Sequence, residues 1–162
     1  MLCIRGELRP SSIVNDEQGL FTLEFLPKGK IIAIWTCDPG DRIIDEKTYM
    51  EEYHNANVEY QHSFVRIIGH YYIGNYDKKT IDDYINHSHS PNLLYHCGIL
   101  FALQDIEIEE ELTVDYRYFF NENDREEFEV DGKPLIGLTA KEALLTSSRK
   151  LIEILEDIED IS

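Results

Sequence analysis

Apolar and polar positions alternate in short runs over the first two thirds of the chain, a pattern that suits strands better than long helices. "LFTLEFL" (20–26) and "KIIAIWT" (30–36) are rich in β-branched and aromatic residues. The "PKG" between them is turn chemistry, so the pattern predicts a hairpin, with "CDPGD" (37–41) ending its second strand. Strand character returns in "HYYIG" (70–74), "LLYHCGILFAL" (93–103) and "ELTVDYRYFF" (111–120). Between these, "DEKTYMEEYHNA" (45–56) reads as a helix, with Thr48 and Glu51 in capping-box register. Residues 121–138 are polar with Gly and Pro signals, as in a connecting loop. The strongest helix pattern follows, over about 139–160. Thr139 stands at its N-cap with Glu142 three residues on, and an apolar stripe runs through Ala140, Leu144, Leu151, Leu155 and Ile158. The expectation is one mainly β domain (β+α) with a C-terminal helix.

Composition narrows this picture without changing it. A chain of 162 residues buries roughly 70% of the surface that its unfolded form exposes, enough for a core without staples. Cys3, Cys37 and Cys97 are odd in number and irregular in spacing, which predicts reduced thiols and an intracellular setting, cytoplasmic or nuclear according to the host. The opening residues lack a signal-peptide core and no run approaches a membrane span, so no membrane partner is expected. The net charge of −17 argues against direct nucleic-acid binding, which Lys and Arg carry, and suits a basic protein partner.

The densest chemistry lies in "NHSHSPN" (86–92) with "YHC" (95–97), which gathers His87, His89, His96 and Cys97. A metal site would need three ligands to converge. Pro91 and the surrounding Ser and Asn residues fix turns by local hydrogen bonds, and His87 and His89 share a face only if the segment is extended. No metal is expected.

"DDYINHSHSPNLLYH" followed by "EEELTVDYRYF" resembles the paired signature of SET domain protein lysine methyltransferases. The matching positions are Ile85, Asn86, His87, Ser88, Pro91 and Asn92 in the first block, and Glu110, Glu111, Leu112, Thr113, Asp115 and Tyr116 in the second. "DEQGLFTLEFLPKGKIIAIWT" is similar to the family's opening hairpin, so the likeness covers about residues 10–120. Three departures stand out: Glu17 replaces the first glycine of the family's GxG, Asp83 replaces the Arg before the NHS motif, and His89 replaces its Cys. With no cysteine after Cys97, the zinc cluster of relatives with cysteine-rich tails has no counterpart here.

The resemblance implies a SET-type fold of short antiparallel sheets with a pseudoknot. A SET domain would span 1–120, with a variable helical insert at about 45–63, and a C-terminal extension 121–162 would follow. It implies transfer of methyl groups from S-adenosylmethionine to a lysine of a protein substrate, a histone tail or another Lys-rich protein. Tyr116 stands at the catalytic position. Gln18, Gly19, Tyr84, Asn86 and His87 would bind the cofactor, and Tyr60 or His62 would add an aromatic group. Phe119 or Phe120 would stack on the adenine. Val114 and Tyr118, at i−2 and i+2 from Tyr116 in an assumed strand, would line the lysine channel. The rival is a catalytically silent module of the same shape that binds a basic partner, and the negative charge at Glu17 and Asp83 favours it. The C-terminal stripe would pack on its own core or on a second copy, giving a monomer or homodimer.

Overall fold

The computed structural model describes residues 1–35, 42–55, 64–74, 80–120, 129–130 and 133–158. The expected mainly β architecture is present, as short sheets with one long helix at the C-terminal end. β1 (Gly6–Pro10) and β2 (Gln18–Thr22) form an antiparallel ribbon. β3 (Ile31–Ile34) belongs to a different sheet, where it pairs with β9 (Ile99–Ala102). The hairpin expected between 20–26 and 30–36 is therefore absent. Thr22 ends its strand, because its hydroxyl donates to the Glu24 carbonyl at 2.6 Å and accepts the Glu24 N–H at 3.2 Å, which folds the chain out of line. The "PKG" turn is real: Lys30 N–H reaches the Pro27 carbonyl at 3.0 Å with Gly29 at φ 82°. It delivers the chain to the second sheet.

A smaller sheet is made by β4 (Arg42–Asp45), β5 (Phe64–Ile68) and β6 (Tyr71–Gly74), in the order β4-β6-β5. Helix α1 (Glu46–Asn55) packs on it through Tyr49, whose ring stacks on Tyr72 at 4.0 Å. Its cap is Asp45, which accepts the Thr48 N–H at 2.8 Å, rather than the expected Thr48. The helical insert expected over 45–63 extends beyond the described residues, and Cys37, Tyr60 and His62 lie outside them.

The five-stranded sheet carries most of the core. A 3-10 helix (Ile81–Tyr84) leads into β7 (Asn86–His87), and β8 (Leu93–His96) and β9 follow. The run 93–103 is a hairpin, not one strand: Cys97 and Gly98 take φ 51° and 85°, the geometry of a tight turn between twisted strands. β10 (Thr113–Val114) comes last in sequence, yet lies between β7 and β8, parallel to both. The Ser88–Asn92 connection must cross it, which is the pseudoknot expected, and a departure from the rule that consecutive strands are neighbours. Leu20, Leu26, Ile32, Leu93, Leu100, Ile106, Leu112 and Val114 fill the space beneath.

After β10 the expected strand 111–120 gives way to a second 3-10 helix, Tyr116–Tyr118. The expected loop 121–138 contains a two-residue ladder of β11 (Glu129–Val130) and β12 (Lys133–Pro134). Helix α2 (Ala140–Asp157) has the predicted capping box: Thr139 Oγ1 accepts the Glu142 N–H at 3.2 Å, while Glu142 accepts the Thr139 N–H at 3.1 Å. Its inner face is rotated from the expected stripe. Ala143, Ser147 and Ile154 are buried, whereas Leu155 is 48% exposed. Two small residues let the helix approach β8 closely enough for Ser147 Oγ to meet His96 Nδ1 at 2.9 Å, a contact that no hydrophobic pattern signals.

The end of α2 is seated on the Pro27–Lys30 turn, where Lys28 pairs with Asp157 and a Cβ on Gly29 would overlap Ile158. Gly29→Ala combines this overlap with a positive φ, so it should destabilise the fold by about 1–3 kcal/mol in chemical denaturation. A variant as stable as the parent would contradict this seating.

Candidate active site

The site is built where β10 enters between β7 and β8. Two asparagines hold it there. Asn92, buried, donates through Nδ2 to the Glu111 carbonyl at 2.8 Å and accepts the Thr113 N–H through Oδ1 at 2.8 Å. Its side chain thus acts as a strand partner for 111–113. Asn86 Nδ2 donates to the Gln18 carbonyl and to Glu111 Oε1, each at 3.0 Å. Both of its N–H groups are committed within the protein.

Glu111 is the centre of this arrangement. Its carboxylate also accepts from Ser11 Oγ at 2.8 Å, Ser12 N–H at 2.7 Å and Ser12 Oγ at 2.6 Å. Burial alone would raise its pKa, but these hydrogen bonds outweigh burial and hold it below the usual carboxylate value. A Cβ on Gly19 would overlap the same carboxylate, so the buried Gly19 leaves room for Glu111 as the ribbon packs down.

Beyond Val114 the chain turns sharply. Asp115, 4% exposed, accepts the Arg117 N–H at 3.0 Å and pairs with its guanidinium at 2.6 Å. The turn aims Tyr116 back at β7: its N–H donates to His87 Nδ1 at 3.1 Å and its hydroxyl to the Ile85 carbonyl at 2.8 Å. Burial, then the carboxylates of Glu17 and Asp83, push the phenol pKa well above its ordinary value. For His87, burial is the largest influence and lowers the pKa, against an opposing pull from Asp115. A ring that accepts at Nδ1 carries its proton on Nε2, which is buried and has no hydrogen-bond partner among the described residues. His89 meets the His87 ring edge-on at 4.8 Å. Among the described residues no group of three His, Cys, Asp or Glu could hold a metal ion.

β7 is an edge strand. Ser88 N–H bonds the Val114 carbonyl at 3.1 Å, so the alternation of a parallel ladder turns the N–H and C=O of His87 toward the open side. Gln18 is exposed and Tyr84 half-buried near this edge, since Gln18 adjoins the Asn86 contact and Tyr84 precedes Ile85. The structure therefore brings Gln18, Gly19, Asn86, His87 and Tyr116 together. Phe119 is buried with Trp35 and Tyr95 at ring distances of 5.1 and 4.7 Å, while half-buried Phe120 meets Tyr116 edge-on at 5.9 Å.

Val114 and Tyr118 do not share a face with Tyr116. That expectation assumed a strand, and the Asp115 turn replaces strand alternation with a 3-10 helix. Val114 is fully buried in the core. Tyr118 lines a shallow cleft with Arg66, Tyr95, Cys97, Ala143 and Ser147, toward α2. At the end of the carboxylate-rich run 105–111, Glu111 is 6% exposed. Its role, and that of Ser11, Ser12 and Asn92, was not foreseen; the one available sign was a carboxylate directly before an apolar strand.

A SET domain family model matches residues 17–117. Among solved structures, the methyltransferase domain of the human histone-lysine N-methyltransferase SETMAR is similar, with 24% identity and a TM-score of 0.52 over 70% of this chain. This chain spans 45% of that one's length. A Plasmodium falciparum protein described as a candidate histone methyltransferase has 20% identity and a TM-score of 0.47, over 70% of this chain and 93% of its own. No curated protein matches.

Two outcomes are expected from these contacts. Glu111→Gln should cost about 1–3 kcal/mol at neutral pH, because an amide cannot accept from all four donors. Since the Glu111 pKa is lower folded than unfolded, its stabilisation is present above about 4.5 and is lost as pH falls through the folded value, so the variant's acid limb should be flatter. Unchanged urea midpoints and acid limbs would contradict this. His87, lowered on folding, should stay neutral as pH falls below about 6.5, where an unfolded histidine protonates, and stability should drop there. Ring NMR titration should show the Nε2–H form and a midpoint below that of a free histidine; a midpoint at or above the free value in folded protein would refute it.

Proposed function

The chain belongs to the SET domain family, and from that premise we propose that it transfers methyl groups from S-adenosylmethionine to a lysine side chain of a protein. The observation that carries the reading is the convergence of the open β7 edge with the buried Tyr116 hydroxyl, held to the Ile85 carbonyl at 2.8 Å. The residues fit the cofactor. The outward N–H and C=O of His87 suit the polar edge of an adenine, and half-buried Phe120, beside Tyr116, offers a ring face. Gln18 and Tyr84 flank the same edge. Asn86, its N–H groups already committed, contributes by holding the ribbon rather than by donating to a ligand.

S-adenosylmethionine supplies a methyl group on a positively charged sulfur. The chain's part is to align a neutral amine with it, a task of positioning that can be worth orders of magnitude in rate. The Tyr116 phenol, kept protonated by burial, orients the amine and is no base. Val114 and Phe119 form the apolar backing of the Tyr116 turn, and desolvation there favours the uncharged amine over the ammonium. Tyr118 acts at the far side, in the cleft beneath α2, where it can shape only the more distant part of a substrate channel. A basic segment suits the acidic chain.

Calorimetric titration of S-adenosylmethionine into cofactor-free protein should show one saturable site. Tyr116→Phe should keep that binding and lose methyl transfer to a Lys-rich protein by about 100-fold. Absence of binding by folded protein would leave the silent module that binds a basic partner.

A further inference from the structure

The turn that aims Tyr116 is held at its far end by donors from two other segments. The Arg117 carbonyl accepts the Leu138 N–H at 2.9 Å, the Tyr118 carbonyl accepts Arg66 Nη2 at 3.1 Å, and the Phe119 carbonyl accepts the Arg66 N–H at 3.3 Å. A buried carbonyl without a donor is costly, so these partners decide where the end of the turn can lie. Arg66 supplies two of the three. It is 3% exposed and stands on β5, an edge strand of the small sheet. Its own carbonyl accepts the Tyr95 hydroxyl at 2.6 Å. The pairing of β5 with β6 slips by one residue between Arg66 and Ile68, an irregularity of the kind that re-aims a side chain. One residue thus joins the small sheet both to the Tyr116 turn and to β8.

We infer that Arg66 is a positioning residue for the transfer: it fixes the far end of the Tyr116 turn, from a sheet whose strands carry none of the residues assigned to the cofactor. The inference rests on the function proposed above. The near end of the turn is set by His87, which accepts the Tyr116 N–H. With that end alone secured, the 3-10 helix could pivot about it and carry the phenol along. The two ends are coupled inside the turn, because the Phe119 N–H donates to the Tyr116 carbonyl at 2.9 Å and the two rings lie 5.4 Å apart. Movement of residues 118–119 is therefore movement of the Tyr116 ring. Transfer uses the place of that phenol relative to the amine, and a misplacement of about 1 Å can cost about 100-fold in rate. Donor binding stands apart, since the edge of β7 and the start of β2 provide for it. A guanidinium keeps its donors at every pH at which the protein is folded, so this brace does not titrate.

Amide hydrogen exchange reads the brace without any substrate. In Arg66→Met, which keeps an unbranched side chain but has no donor, protection of the Phe119 and Phe120 amides, both bonded to the Tyr116 carbonyl, should fall by about tenfold, while the β1–β2 ribbon keeps its parental values. Calorimetry should give the parental stoichiometry and dissociation constant for S-adenosylmethionine, and single-turnover transfer to histones should slow by about 30-fold. Arg66→Lys, with an ammonium in place of the fork, should recover part of both losses. Unchanged protection in the turn, or an equal loss throughout the chain, overturns the inference and leaves the function in place. Should Arg66→Met not fold, Arg66→Lys decides: a smaller loss confined to the turn supports the inference, and fully parental protection overturns it. Folded parent that binds no S-adenosylmethionine overturns the function, and with it the part of Arg66 in transfer.

Discussion

The Glu111 carboxylate is the contact on which the site depends. It lies just before the strand that enters last, and it accepts from Ser11 and Ser12 in the connection of the first ribbon and from Asn86 on β7. One buried anion thus fixes three segments that are remote in sequence. A buried carboxylate is costly unless its acceptors are filled, and here four donors converge on it, so the low-energy state is the assembled one. The phenol of Tyr116 and the open edge of β7 take their positions from that assembly.

The strands and the two helices were legible because their signals are local. Periodicity of apolar residues, turn chemistry at 27–29 and the capping box at Thr139 each specify a few neighbouring residues, and each appears in the structure. The errors arose where a distant contact or a polar side chain overrides the local pattern. Thr22 ends a strand that the hydrophobic run would have continued, and Asp115 does the same before Tyr116. The inner face of α2 follows Ala143 and Ser147, small residues that invite close approach without registering as apolar.

The paired motifs meet in the fold, since Asn86 and His87 on β7 lie beside β10 and the Tyr116 N–H donates to His87 Nδ1. What the motifs could not convey is the division of labour among their residues. Asn86 and Asn92 are internal braces, Gly19 is a clearance for Glu111, and His87 offers its backbone outward while its ring holds the backbone of Tyr116. These roles depend on hydrogen bonds across the fold, which residue spacing does not encode.

The insertion of β10 between β7 and β8 sets an order of events in folding. The Ser88–Asn92 connection must stay open until residues 111–114 have passed beneath it, so the chain cannot complete this region as it emerges from the ribosome. The open edge of β7 and the setting of the phenol are therefore completed together, by the same insertion, and an intermediate lacking one lacks the other. A partly folded chain would have most of its β structure and none of its chemistry.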